Sequence, residues 1–513
     1  MLERNLFSAG TSLLISCWLS ASPAEGQTDG VSNPDSGRGS VSLASDSVRS
    51  SASASRTSAA PVSKDSVRIT PGASRPPTAA RGPFPGSPLL LQVPLSDLPF
   101  GFKGGFDSPS MRQSLLWNAS SIQLANQTIG WLWEGRRPGV LRSLGTWASL
   151  GLFTYASVYL PPGGAWMHEE WHRAVLTKDG VSSYNGVYHW DIGAEAIAVD
   201  HVKDAALAEM KAEHPADFIR LMSAGLESET ESVRLMRRNN FFLGRGSEYD
   251  LLSWWNTNLN GTAYLYICSG KEFDEILKEA NLSEEKMSER DFTGLDFRAW
   301  VHDLRRPEEP YAAGPRGRTH PTGSGVDRYL LYSDLTPDER NYLRLQAGLS
   351  LLNLVSPQSI GRDWMPGINP WDGGGILWNF GLTHHLTPFG FGVGGDFLVR
   401  RGKWSWVLTR QGLINGDMAL PAVGGEFFRY PVPVGRSDIY LTCGASVWLQ
   451  PEDQIHYTSS VSPGGAATVG LAVPLQYSLE LFAEADAKTA GWMPGNVYLD
   501  AAVQGRAGLQ LKL

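Results

Sequence analysis

Cysteine is nearly absent. The chain of 513 residues carries three: Cys17, Cys268 and Cys443. Cys17 falls in a candidate targeting segment, and two remaining cysteines so far apart make no disulfide framework. Charge is scarce as well. Only 19% of residues are Asp, Glu, Lys or Arg, and acidic residues outnumber basic ones by 52 to 44. The net charge of −8 argues against a nucleic-acid binder, so no nucleic-acid partner is expected. Neither a phosphate-binding Gly-x-x-x-x-Gly-Lys-Ser/Thr loop nor a dinucleotide fingerprint is present. "GVGGDF" is glycine-rich, but it lies among strand-like runs with no helix after it. Histidine is rare, ten in all, which gives weight to any place where two of them fall at a functional spacing.

Glycine (56) and tryptophan (18) are abundant. Low charge with this composition fits a β-rich or membrane-associated protein. Arg4 precedes the apolar run "LFSAGTSLLISCWLS", and Ser22 to Ala24 offer a small-residue cleavage site. Residues 1–24 therefore read as an export signal. "LISC" also matches a lipoprotein signal, in which Cys17 is lipidated. Residues 25–85 hold almost no large apolar side chains and read as a Ser/Ala/Pro-rich disordered tether.

Residues 86–345 read as a mostly helical domain. "SPSMRQSLLWNASSIQLANQTIGWLWEG" has apolar residues at helical spacing. Arg142 to Leu160 form an apolar run that Pro161, Pro162, Gly163 and Gly164 stop. It is long enough to cross a bilayer, yet its small residues suit tight packing inside a protein equally well. "DLLSWWNTNLNGTAYLYICSG" is apolar and aromatic, and a buried helix beside the candidate site is expected there, with a second membrane-facing segment as the alternative. The pattern changes in residues 346–513. In "NVYLDAAVQGRAGLQLKL", Val497, Leu499, Ala501, Val503, Ala507, Leu509, Leu511 and Leu513 share one face of a strand. "LQYSLELFAEADAK" and "DIYLTCGASVWLQ" alternate in the same way, and about eight strands are expected after Gly373. The fold class is thus α+β, a helical part followed by an antiparallel sheet. A barrel would turn its apolar face to lipid. An open sheet would cover that face with helices or a second sheet. The last 140 or so residues resemble bacterial outer-membrane β-barrels in pattern, although such barrels usually end on an aromatic residue and this chain ends on Leu513. The resemblance implies the outer membrane of a Gram-negative envelope.

"WMHEEWHRAVL" contains His-Glu-x-x-His. A helix starting near Ala165 puts His168 and His172 on one face, where both imidazoles can reach one metal ion. Glu169, one position on, can take a proton from water there. Glu170 points about 100° further round and serves as a control. A plain polar stripe is the alternative, but Trp166, Met167, Trp171, Val175 and Leu176 make that helix apolar. "FIRLMSAGLESETESVRLMRR" follows downstream. Together the two stretches resemble the gluzincin zinc metallopeptidases, which carry a glutamate ligand on a later helix and often an acidic residue four positions on. The resemblance implies zinc held by His168, His172 and Glu227, Glu169 as general base, and Glu231 as an acceptor that orients a ligand histidine. Gly225 would let the two helices approach closely. Glu229, His189, Asp191 and His201 remain alternative ligands, and Tyr184 or His189 candidate oxyanion donors. His384 and His385, adjacent on a strand, should face opposite ways. The expected activity is hydrolysis of a peptide or protein substrate. A non-enzymatic outer-membrane channel or assembly protein, or a zinc amidase acting on lipid or cell-wall substrates, is the alternative.

Overall fold

The computed structural model describes residues 90–105, 107–134, 139–158, 160–188, 196–243, 248–283, 290–317, 326–366, 375–435, 437–476 and 478–512. The export signal, Cys17 and the tether lie outside the described residues. The described residues belong to one compact unit in which helices and sheet are packed together.

The main helices are α1 (Met111–Glu134), α2 (Val140–Ser157), α3 (Gly164–Lys178), α4 (Asp204–Glu213), α5 (Pro215–Leu243), α6 (Leu251–Cys268), α7 (Asp274–Ser283), α8 (Asp296–Arg305) and α9 (Pro337–Ser350). α9 begins with a capping box, Thr336 accepting from the Glu339 amide and Glu339 from the Thr336 amide. α3 starts directly after Gly163, where the Pro-Pro-Gly-Gly break leaves it free to begin. No described helix is long and apolar enough to cross a membrane by hydropathy. α2, on the run expected from Arg142 to Leu160, buries Leu150, Thr154 and Ser157 and turns Val140, Leu141, Leu144 and Leu152 outward.

The strands are β1 (Leu90–Leu98), a small pair β2 (Tyr184–Tyr188) and β3 (Ala196–Asp200), then β4 (Met365–Pro366), β5 (Leu377–Thr387), β6 (Gly390–Arg401), β7 (Trp404–Asn415), β8 (Met418–Val434), β9 (Ser437–Pro451), β10 (Val461–Pro474), β11 (Leu479–Lys488) and β12 (Ala502–Lys512). β5 to β12 are eight strands after Gly373, as the alternation implies. They form a 10-stranded antiparallel meander with β1 and β4, in the order β1-β12-β11-β10-β9-β8-β7-β6-β5-β4. The sheet is not a closed barrel, because its end strands β1 and β4 do not pair. Helices occupy the gap. α1 packs on β1, α2 on α1, α6 on α2, and the segment 351–360 links α6 to β5. The closure missing from the sheet is a matter of which elements meet, not of strand pattern.

The alternation holds within each strand, but two runs begin later than their pattern. The last strand starts at Ala502 rather than Asn496, and the β11 strand at Leu479. Val497 and Leu499 lie in the connecting loop and are buried, Leu499 beside Phe389, Leu413 and Trp492. They do not share the outward face of Val503, and the Leu499 carbonyl instead accepts from the Gly491 amide at 2.7 Å.

The sheet's polarity is inverted relative to a soluble sheet. The helices cover its polar face, and the apolar face points outward. Val503, Leu481, Val447 and Val469 are 73%, 45%, 58% and 50% exposed, whereas Gln504, Arg506 and Gln510 are buried. The inner face is tied to α5 by ion pairs. Asp396 of β6 accepts from Arg234 (2.8 Å) and Arg237 (2.7 Å), and Glu426 of β8 pairs with Arg238. A polar cavity of about 290 Å³ lies between α5 and this face.

Candidate metal centre

The site forms where α3, α5 and α8 meet, with α6 beside them. α3 crosses α5 closely because Gly225 has no side chain. A Cβ there would lie 2.0 Å from Nε2 of His168. Leu221, Gly225 and Glu229 follow each other at intervals of four and so share one stripe of α5. All three touch the histidines of α3. His172 Nδ1 donates to the Leu221 carbonyl at 2.5 Å. His168 Nδ1 lies 3.2 Å from Glu229 Oε1, and Asn260 of α6 donates to the same oxygen at 2.9 Å.

With both Nδ1 atoms engaged by acceptors, the Nε2 atoms carry the remaining ligand positions. Both face Asp296, the first residue of α8. Asp296 Oδ2 is 3.2 Å from His168 Nε2 and 3.4 Å from His172 Nε2. His168, His172 and Asp296 are buried, and they are the His/Cys/Asp/Glu group that could hold a metal ion among the described residues. The backbone amide of Asp296 donates to the Tyr264 hydroxyl (3.2 Å), which ties α8 to α6.

The residues fit a zinc ion. Ligands about 2.0–2.2 Å from a tetrahedral centre stand roughly 3.3–3.6 Å apart, close to the distances found here. Nε2 of His172 is buried and has no hydrogen-bond partner. Two imidazole lone pairs and a carboxylate pointed at one another repel unless a cation lies among them. The electrostatics agree. Burial opposes a charged His168, but hydrogen bonds to Asp296 and Glu229 outweigh it and push its pKa well up. Burial would raise Asp296, yet His172 and His168 hold it down to about 2. The pocket favours positive charge, which either protons or a metal dication can supply.

Glu169 is buried beside this centre. Burial pushes its carboxyl well above the ordinary range; His168 opposes the shift, and Asp296 and Asp291 add to it. Glu170 turns away, accepting from Arg173 (2.7 Å) and Asn185 (2.7 Å). Burial raises it to about 7, against the pull of Arg173.

Of the residues singled out in the sequence, His168, Glu169 and His172 come together and Glu227 and Glu231 do not join them. Glu227 accepts from Arg220 (2.9 Å), the Trp492 indole (3.2 Å) and the Gly495 amide (2.8 Å), pinning the loop before β12 to α5. Glu231 pairs with Arg234 (2.5 Å) and lies 3.8 Å from His385 Nε2. The position expected for Glu227 is taken by Asp296, and that of Glu231 by Glu229. Residues two apart on a helix point about 200° apart, so Glu227 and Glu229 cannot both face α3. His201 pairs with Asp200 (2.5 Å) and packs on Tyr184, which is exposed and apart from the centre. His189 and Asp191 lie outside the described residues. His384 and His385 turn to different neighbours, as adjacent strand residues should: His384 Nε2 lies 2.8 Å from Gln346 Oε1 of α9, and His385 packs against Trp492 and Glu231; both are buried because α9 covers the end of β5. The helix expected beside the site is α6, which supplies Asn260 and Tyr264. Asp296 carries no local sequence signal beyond its place at a helix start. No family model matches the chain, and neither curated proteins nor solved structures give a match.

Proposed function

We propose that this chain is a zinc-dependent hydrolase of peptide bonds, held in the outer membrane of a bacterial envelope. The observation that carries the reading is the convergence of His168 Nε2, His172 Nε2 and Asp296 Oδ2, with separations of 3.2 and 3.4 Å, next to the buried Glu169. His168, His172 and Asp296 would hold the metal. Glu229 and the Leu221 carbonyl fix the ring orientations, the usual job of acceptors behind ligand histidines. Bound zinc supplies Lewis acidity for the carbonyl and makes water a nucleophile at neutral pH. Glu169 takes the proton of the attacking water and passes it to the leaving amine. Tyr264 positions Asp296 through its amide. The location is supported by the outward apolar face and inward charges of the sheet, the polarity of a lipid-facing wall.

Glu169→Gln tests the reading because it keeps size and removes basicity. The variant should hold its zinc and its fold and lose hydrolysis by about 10²–10⁴-fold. Glu170→Gln, which alters a carboxylate paired with Arg173, should leave activity nearly intact. Full activity in a zinc-loaded Glu169→Gln chain would make the metal structural and end the hydrolase reading.

A further inference from the structure

The inner wall of the sheet is built from small residues where it faces the middle of α5. Gly424 of β8, Gly444 of β9 and Ala466 of β10 point inward there, and the space they leave is part of the polar cavity of about 290 Å³. Pockets that hold small molecules start near that size, at about 300 Å³. The cavity is half-open, and five arginines and five carboxylates line it.

Most of these charges engage one another. Arg234 and Arg237 bind Asp396 at 2.8 and 2.7 Å, Arg238 binds Glu426, and Arg506 binds Asp486 at 2.6 Å and also Glu484. Arg112 of α1 is the exception. It lies near enough to Glu426 and Glu484 to act on both electrostatically, yet it makes no ion pair or hydrogen bond among the described residues. Glu484 and Asp486 each turn one oxygen to Arg506, and the other accepts no hydrogen bond among the described residues.

Gln411 of β7 is 8% exposed and lines the cavity, and its amide has no hydrogen-bond partner among the described residues. The hydroxyls of Ser446 and Thr468 on the same wall are unpaired in the same sense. A buried amide without partners is costly, so its place in a cavity wall calls for an occupant that can bond to it. The open groups are thus a guanidinium, carboxylate oxygens, and a neutral amide with hydroxyls. The lining charges balance, five against five. An ion of either sign would leave one charge uncompensated in a half-buried space, whereas a ligand with one charge of each sign would not.

We propose that this cavity is a binding site for a small zwitterion of dipeptide size. Its carboxylate pairs with Arg112, its ammonium with the open oxygens of Glu484 and Asp486, and its amide with the neutral groups of the wall. The site is separate from the metal centre. His168, Glu169, His172 and Asp296 do not line it, and Trp492 and Gly495, which Glu227 holds, form part of its wall. The proposal therefore stands independently of the hydrolase reading.

Titration calorimetry on the detergent-solubilised, zinc-loaded full chain tests it, with Glu169→Gln in place to prevent turnover and L-alanyl-L-alanine as the probe. The dipeptide should bind at one site per chain. Its N-acetyl form keeps only the carboxylate and its C-terminal amide only the ammonium, and each should bind about 10–100-fold more weakly, the worth of a charged hydrogen bond. Arg112→Gln should weaken the dipeptide by the same factor, and Gln411→Leu by about 2–10-fold. His172→Ala, which removes a metal ligand, should leave this binding unchanged. Absence of binding, equal affinity of the two blocked forms and the dipeptide, or affinity indifferent to both Arg112→Gln and Gln411→Leu would overturn the proposal. Binding lost with His172→Ala and kept by Arg112→Gln would place the dipeptide at the metal centre, which would sink this site and leave the hydrolase reading standing.

Discussion

Replacing Asp296 by Asn separates this metal centre from one built on Glu227. Zinc binding in small structural sites is worth about 10–16 kcal/mol at neutral pH. Shared among four ligand positions, one protein ligand accounts for roughly 3–4 kcal/mol, or about 10²–10³-fold in affinity. Asp296 is the oxygen ligand in reach of both histidines, at 3.2 and 3.4 Å, so Asp296→Asn should weaken zinc binding by that factor. Glu229→Gln removes the negative charge of the acceptor behind His168 and should cost about 10–100-fold. Glu227→Gln should leave zinc affinity unchanged. It should instead destabilise the fold by about 3–5 kcal/mol, because it leaves the Arg220 guanidinium buried without its partner carboxylate. Competition against a chelator of known zinc affinity, on detergent-solubilised chain, measures the first two effects; urea unfolding measures the third. Zinc lost from Glu227→Gln and kept by Asp296→Asn would refute the assignment.

Gly225→Ala should displace His168, since the added carbon would sit 2.0 Å from its Nε2; loss of zinc with a destabilisation of about 1–3 kcal/mol is expected in binding and unfolding assays. Asp396→Asn removes the carboxylate that Arg234 and Arg237 share at 2.8 and 2.7 Å. A loss of about 3–5 kcal/mol should appear in unfolding, and an unchanged midpoint would show that α5 is held to the sheet by other contacts.

The strands were legible because period two survives in sequence whatever covers the sheet. Leu441 and Val447 against Thr442 and Trp448 show it plainly. Which face is covered is a tertiary matter, and here the helices lie on the polar side. The closing of the gap by α1, α2 and α6 leaves no trace in strand periodicity. His168, Glu169 and His172 were legible because their spacing is local. Asp296 was not, because it reaches the histidines from a helix far downstream. Glu229 stood within reach of sequence reasoning. Gly225 marks the stripe of α5 that meets α3, and four residues on, that stripe presents Glu229 rather than Glu227.

Arg506 has a consequence for how the molecule is assembled. It stands on the last strand and pairs with Asp97 of β1 at 3.7 Å, with Asp486 of β11 at 2.6 Å, and with Glu484. A single late cation thus bridges three carboxylates contributed by two other strands, one of them made near the start of the fold. Until β12 arrives, β1 has no pairing partner and those carboxylates lack the charge that offsets their burial. Contacts between such distant parts of a chain form slowly, because a long loop must be ordered first. A chain interrupted before β12 would keep β1 and β11 as open, apolar edges prone to pair with other chains. The seam therefore works as a completeness check: β1 joins the sheet only when the last strand is in place.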